Sequence, residues 1–143
     1  MSYNISEVNS GYVALTAGGL AGGTTTGTYK TVNTIAFTNN GIFKSKGGSD
    51  NLTFSTGHTA LAAGQACLFA VWLNASGTAS TTQGPIVASG DPCPVPGQVT
   101  AGTTLIGLIK VVATATFTPG TTALGTGNTA TYFDCMTMPG SAQ

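Results

Sequence analysis

Charge is what this sequence has least of. Asp, Glu, Lys and Arg together make up 6% of its residues, against the ~25% usual in soluble domains. Arginine is absent. The cations are Lys30, Lys44, Lys46 and Lys110, the anions are Glu7, Asp50, Asp91 and Asp134, and the formal net charge is zero. Four scattered lysines cannot form the patch that neutralises several phosphates of a duplex, so no nucleic-acid partner is expected. A long apolar run is missing as well. The most apolar stretch, Thr59 to Leu73, is interrupted at Gly64 and Gln65 and falls short of the ~20 residues a membrane-spanning helix needs. Met1 to Ser10 are polar and show neither the basic segment nor the apolar run of a secretory signal. No membrane partner is expected.

Reactive side chains are equally scarce. Cys67, Cys93 and Cys135 form an odd set with no close pair, which speaks against a disulfide framework and against a Cys-x-x-Cys metal site. Buried, reduced thiols of a protein made in a cytoplasm are expected; one disulfide with Cys93 left free is the alternative. His58 is the only histidine, and a general base or zinc site normally adds carboxylates or further ligands to it. A catalytic set of Cys67, His58 and Asp134 would have to assemble in space; a surface or hydrogen-bonded structural histidine is the expected role. The glycine cluster Gly18-Gly19-Leu20-Ala21-Gly22-Gly23-Thr24 lacks the lysine and the following helix of a phosphate loop. No catalytic, metal or cofactor-binding residue is assigned, no cofactor is expected, and an enzyme is not expected.

What the chain does have is threonine, alanine and 21 glycines in 143 residues. The length suits one domain. Threonine is stiff at χ1 and favours a pleated surface, while so many glycines disfavour long helices. Period-two segments recur at Tyr29 to Thr38, Ile42 to Ser45, Leu52 to Ser55, Cys67 to Asn74, Thr78 to Ala88, Leu105 to Val112 and Thr129 to Met136. Shorter candidates are Tyr12 to Thr16 and Thr114 to Thr118. Asn40-Gly41 is the dipeptide best suited to a type I′ turn, so residues 29–46 read as one hairpin. Short strands punctuated by Gly, Pro and Asn predict an all-β fold, an antiparallel β-sandwich or a jelly-roll-like arrangement.

Phe37, Leu68, Phe69, Val71, Trp72, Leu105, Ile106, Leu108, Ile109 and Phe133 are the expected core. Trp72, inside an apolar strand, is expected to pack there and not to serve as a sugar platform. Tyr3, Tyr12 and Tyr29 are expected to remain exposed. Ala17 to Thr28 reads as a Gly/Thr-rich loop, and Asp91 to Gly97 as a stiff proline-rich loop. The expected division is a flexible N-terminal arm over residues 1–28 and a sandwich over 29–143. On the arm, Tyr3, Ile5, Val8, Tyr12, Val13 and Leu15 are the residues expected to anchor to a neighbour. A near-zero net charge promotes association, so much of the surface is expected to lie against a partner.

Ala60-Leu61-Ala62-Ala63-Gly64-Gln65 leading into Leu68 to Asn74, together with Thr103 to Val111 and Phe117 to Leu124, resembles small virion structural proteins of tailed bacteriophages. Within that group the chain is most similar to capsid decoration, or cement, proteins. The resemblance implies a β-rich domain, usually a trimer, that binds the outside of the head lattice and stiffens it. The implied partners are the major capsid protein and further copies of the chain, on a virion made in the host cytoplasm. The family has no catalytic residues to carry over. The competing reading is a tail-fibre or adhesin-like carbohydrate-binding module, which an aromatic residue exposed in a groove would favour.

Overall fold

Alternation of threonine with aliphatic and aromatic residues gives short extended segments, and the glycines between them let the chain reverse. The computed structural model describes residues 11–97, 100–125 and 127–136. It contains ten strands: β1 (Leu20–Gly22), β2 (Thr28–Thr31), β3 (Ile35–Asn39), β4 (Ile42–Lys46), β5 (Ser49–Thr53), β6 (Gln65–Leu73), β7 (Ala79–Gln83), β8 (Val87–Ala88), β9 (Thr104–Ala113) and β10 (Asn128–Asp134). There is no helix among the described residues. Every pairing is antiparallel.

The larger sheet runs β10-β9-β6-β7, with β8 also on β6. Its inner face is set by the period of two: Cys67, Phe69, Val71 and Leu73 of β6 and Ile109, Val111 and Ala113 of β9 are buried in one cluster. A register shift between Val71 and Trp72 brings Ile106 into the same cluster. The opposing layer consists of the sheet β1-β2-β5 and the hairpin β3-β4, which contribute Leu20, Tyr29, Ile35 and Phe37. Between the layers Phe54 meets Phe69 edge-on at 5.0 Å and Tyr29 at 5.4 Å, arrangements worth up to ~1.5 kcal/mol beyond area burial. The fold is all-β, two antiparallel layers around a shared core.

Asn40 and Gly41 both have positive φ, 51° and 74°, and they join β3 to β4 as the type I′ turn chemistry requires. The hairpin is shorter than the residues 29–46 expected. At Val32 and Asn33 the chain turns aside, because their N–H groups donate to the carbonyls of Gly19 and Gly18. That contact sends β2 into one sheet and β3 into another. Tyr12 to Thr16 and Thr114 to Thr118 reduce to single bridges, Ala14 with Phe37 and Leu61 with Phe117.

The Gly/Thr-rich stretch departs most from expectation. Within residues 17–28 the chain forms β1, which pairs with β2 from Leu20↔Thr31 to Gly22↔Tyr29. Leu20 is buried over the backbone of Gly107, where a Cβ would lie 2.1 Å from Leu20 Cδ1. Close approach at a residue without Cβ is what lets so poor a segment reach the core. A boundary at residue 28 therefore cuts through a packed layer. Residues 1–10, with Tyr3, Ile5 and Val8, lie outside the described residues.

Three further expectations are corrected. Tyr29 is fully buried, because its register between Gly22 and Leu52 turns it toward the facing sheet. Trp72 is only partly buried and belongs to the opposite face of β6. Phe133 is 46% exposed, paired beside Leu108 on that same outer face. Leu105 and Leu108 are likewise half-buried.

Candidate functional site

Alternation along β6 and β9 leaves a second apolar surface, pointing away from the core. Register defines it row by row. Phe133 of β10 faces Leu108 of β9, which faces Ala70 of β6 and then Thr82 of β7. Below that row Thr131, Lys110 and Leu68 align, and then Thr129, Val112, Ala66 and Val87. At the other end Leu105, Trp72 and Ser80 align. Lys110 is the only charged residue in these rows. Ala66, Leu68 and Ala70 are buried, whereas Leu105, Leu108, Val112 and Trp72 are half-buried and Phe133 is exposed. An outer sheet face ordinarily alternates to polar residues; β6 and β9 do not, apart from Lys110, while Thr129, Thr131, Ser80 and Thr82 on the flanking strands do.

At the β7 border of the same sheet lies a groove of about 410 Å³ lined by Ser55, Thr56, Gly57, His58, Trp72, Ser80, Thr81, Thr82, Gln83, Thr100 and Thr103. Strand β7 is an edge, and an edge with free backbone groups invites unwanted pairing. The segment after β5 covers it through side chains. Ser55 and Thr81 each donate a backbone N–H to the other's hydroxyl oxygen, both at 2.9 Å. The Gln83 carboxamide accepts from the Thr59 N–H at 2.7 Å and donates to the Thr59 carbonyl at 2.8 Å, taking the place of a strand's own peptide.

Within the groove, Trp72 Nε1 donates to Thr82 Oγ1 at 2.9 Å, which satisfies the indole's one polar group and fixes the ring. His58 Nε2 shares a hydrogen bond with Thr81 Oγ1 at 2.8 Å and its ring lies 5.4 Å from that of Phe69. Burial holds its pKa below the ordinary value, so the imidazole is neutral at neutral pH. Among the described residues, no charged side chain lines the groove.

The other residues considered for chemistry are not brought together by any hydrogen bond among the described residues. Cys67 sits in the core, where its thiol accepts from Gln83 Nε2 at 3.6 Å and burial pushes its pKa up to about 11. Asp134 accepts from the Leu20 N–H at 3.1 Å, away from His58. The Cys135 thiol is raised by burial and then by the charge of Asp134. All three thiols are free, and no group of three metal-ligating side chains occurs among the described residues. Among the described residues no helix is long and apolar enough to cross a membrane. Of the arm residues, Tyr12 is exposed, while the Val13 and Leu15 N–H groups donate to Thr38 Oγ1 and the Ala36 carbonyl. Val13 and Leu15 are therefore held against β3 of their own chain.

The strands that carry the apolar face were expected from the sequence, over Cys67 to Asn74, Leu105 to Val112 and Thr129 to Met136, and of these only the run from Cys67 to Leu73 is apolar at every position. The groove was not: a strand was expected over Thr78 to Ala88, but Ala79-Ser80-Thr81-Thr82-Gln83 within it is small or polar on both faces, so nothing marks which side chains line a cleft. No protein-family model, no curated protein and no solved structure matches this chain.

Proposed function

We propose that this chain is a non-enzymatic virion structural protein that decorates the outer lattice of a phage head, with the outward face of its larger sheet packed against other copies of the chain there. The observation that carries the reading is that face: Phe133, Leu108, Leu105 and Val112 in adjoining rows, with Lys110 as the only charge. Large exposed apolar patches on soluble chains mark interaction sites. The scarcity of charge in the whole chain, 6% of its residues, fits a subunit whose working surroundings are other protein subunits. Stable association would bury on the order of 1,200–2,000 Å² per interface.

The test is location on particles. Cryo-electron microscopy of phage heads incubated with the purified chain should show added density on the outer surface, repeated with the symmetry of the lattice. Heads that remain bare at saturating protein, with the added chain left in the supernatant, would reject the reading.

A further inference from the structure

We propose that the groove along β7 binds a neutral carbohydrate, with Trp72 as the platform on which a sugar ring stacks. This goes beyond decoration and does not rest on it: the groove takes the Trp72–Ser80 end of the outer face at the β7 border, whereas the decoration reading is argued from Phe133 and Leu108 toward the β10 border.

The argument starts from what lines the groove. Trp72 is the only tryptophan of the chain, and it is held by its bond to Thr82. A ring already fixed gives up little side-chain entropy when a ligand covers it. Thr82 Oγ1 accepts from the indole, which leaves its own hydrogen to donate. Ser80, next to Trp72 in register, has a hydroxyl with no partner among the described residues. Thr56 adds another hydroxyl at the mouth, and neutral His58 closes the wall. An apolar wall beside a few convergent polar groups is the usual make-up of a small-molecule site, and about 410 Å³ falls within the ~300–1,000 Å³ such sites span.

Ligand class follows by elimination on chemistry. Phosphates, nucleotides and acidic sugars carry charge that no lining residue can balance. A purely apolar ligand would strip water from the Ser80 and Thr82 hydroxyls without replacing it. A neutral sugar has both properties the groove asks for: a C–H face for the indole, and hydroxyls at its rim that donate to and accept from Ser, Thr and His side chains.

The single tryptophan makes the experiment direct. The purified full chain is titrated with neutral oligosaccharides (lactose, maltotriose, cellotriose, chitotriose) and with sialyllactose as the acidic control, reading tryptophan fluorescence and two-dimensional amide NMR. At least one neutral sugar should give saturable fluorescence change, amide shifts confined to residues 55–58, 80–83 and 100–103, and affinity unchanged by added salt. Ser80→Ala and Trp72→Phe, read by NMR with thermal melting as the folding control, should bind that sugar more weakly, by roughly tenfold for the tryptophan change, the loss expected from one good aromatic contact. No response to any of the four sugars at tens of millimolar overturns the proposal. So do shifts centred away from the groove, salt-dependent binding of sialyllactose alone, or a folded Trp72→Phe that binds unchanged. Failure here leaves particle decoration untouched, and bare heads in the earlier experiment leave the groove untouched.

Discussion

Tyr29 is the residue whose environment is least satisfied. Its ring packs edge-on against Phe54, yet its hydroxyl is buried without a hydrogen-bond partner among the described residues. A buried donor left unpaired costs ~1–3 kcal/mol, so Tyr29→Phe should stabilise the fold by about 1 kcal/mol in urea unfolding. Burial also raises the phenol's pKa far above its ordinary value, and lifts Cys67 from 9.0 to about 11. Both groups are neutral when protonated, and the folded chain holds their protons more tightly than the unfolded chain. Their neutral-form stability is therefore complete below pH ~9 and is lost as pH rises through the folded values. Wild type should lose stability above pH 9, and Tyr29→Phe should lose less of it above pH 10; parallel curves for the two proteins would contradict the assignment. The sequence left Tyr29 outside because its neighbours Thr28, Lys30 and Thr31 are polar, and put Trp72 inside because residues 67–73 are apolar on both sides and do not reveal the inner face. Only the facing sheet decides that.

At the scale of elements, strand positions were legible and sheet membership was not. β6, β9 and β10 lie within one or two residues of where alternation put them, and Asn40-Gly41 turns as its chemistry requires. The partition of β2 and β3 into separate sheets rests on two hydrogen bonds from Val32 and Asn33 to a glycine-rich segment, and composition marks that segment as loop. What recruits it is Leu20 over Gly107. A Cβ at residue 107 would also lie 2.7 Å from the Phe133 carbonyl oxygen, so neither the side chain nor the backbone neighbour leaves room. Gly107→Ala should destabilise the domain by ~1–3 kcal/mol, the usual cost of overpacking. Hydrogen exchange should show the loss as early opening of β1 and β10, ahead of the β3-β4 hairpin. Equal protection of β1 in the variant and wild type would remove Leu20–Gly107 packing as the clamp. A chain begun at Thr28 lacks both Leu20 and Ala14, two buried residues, and so loses part of the core.

At the scale of the molecule, the outward apolar face predicts self-association. The face extends across three strands, β10, β9 and β6, from Phe133 through Leu108 to Ala70, and Met136 at 49% and Val95 at 59% are further exposed apolar residues of the chain. Four lysines in the whole chain cannot guard such a face together with the open edges of β4 and β10, and burial against copies of itself protects both at once. Closed point-group symmetry is the usual form of such assemblies, and the decoration role proposed above goes with three copies. Analytical ultracentrifugation at micromolar concentration should give a trimer. Leu108 lies at the centre of the face and is half-buried there, outside the core cluster. Leu108→Lys should therefore leave the thermal melt of the folded chain nearly in place, within about 1 kcal/mol, while moving the sedimentation coefficient to that of a monomer. Charge introduced at an interface centre is costly because it must be desolvated without a partner, whereas the same lysine on a solvated face costs little. A wild-type chain that sediments as a monomer, or a Leu108→Lys variant that stays trimeric, would show that this face is not where copies of the chain meet.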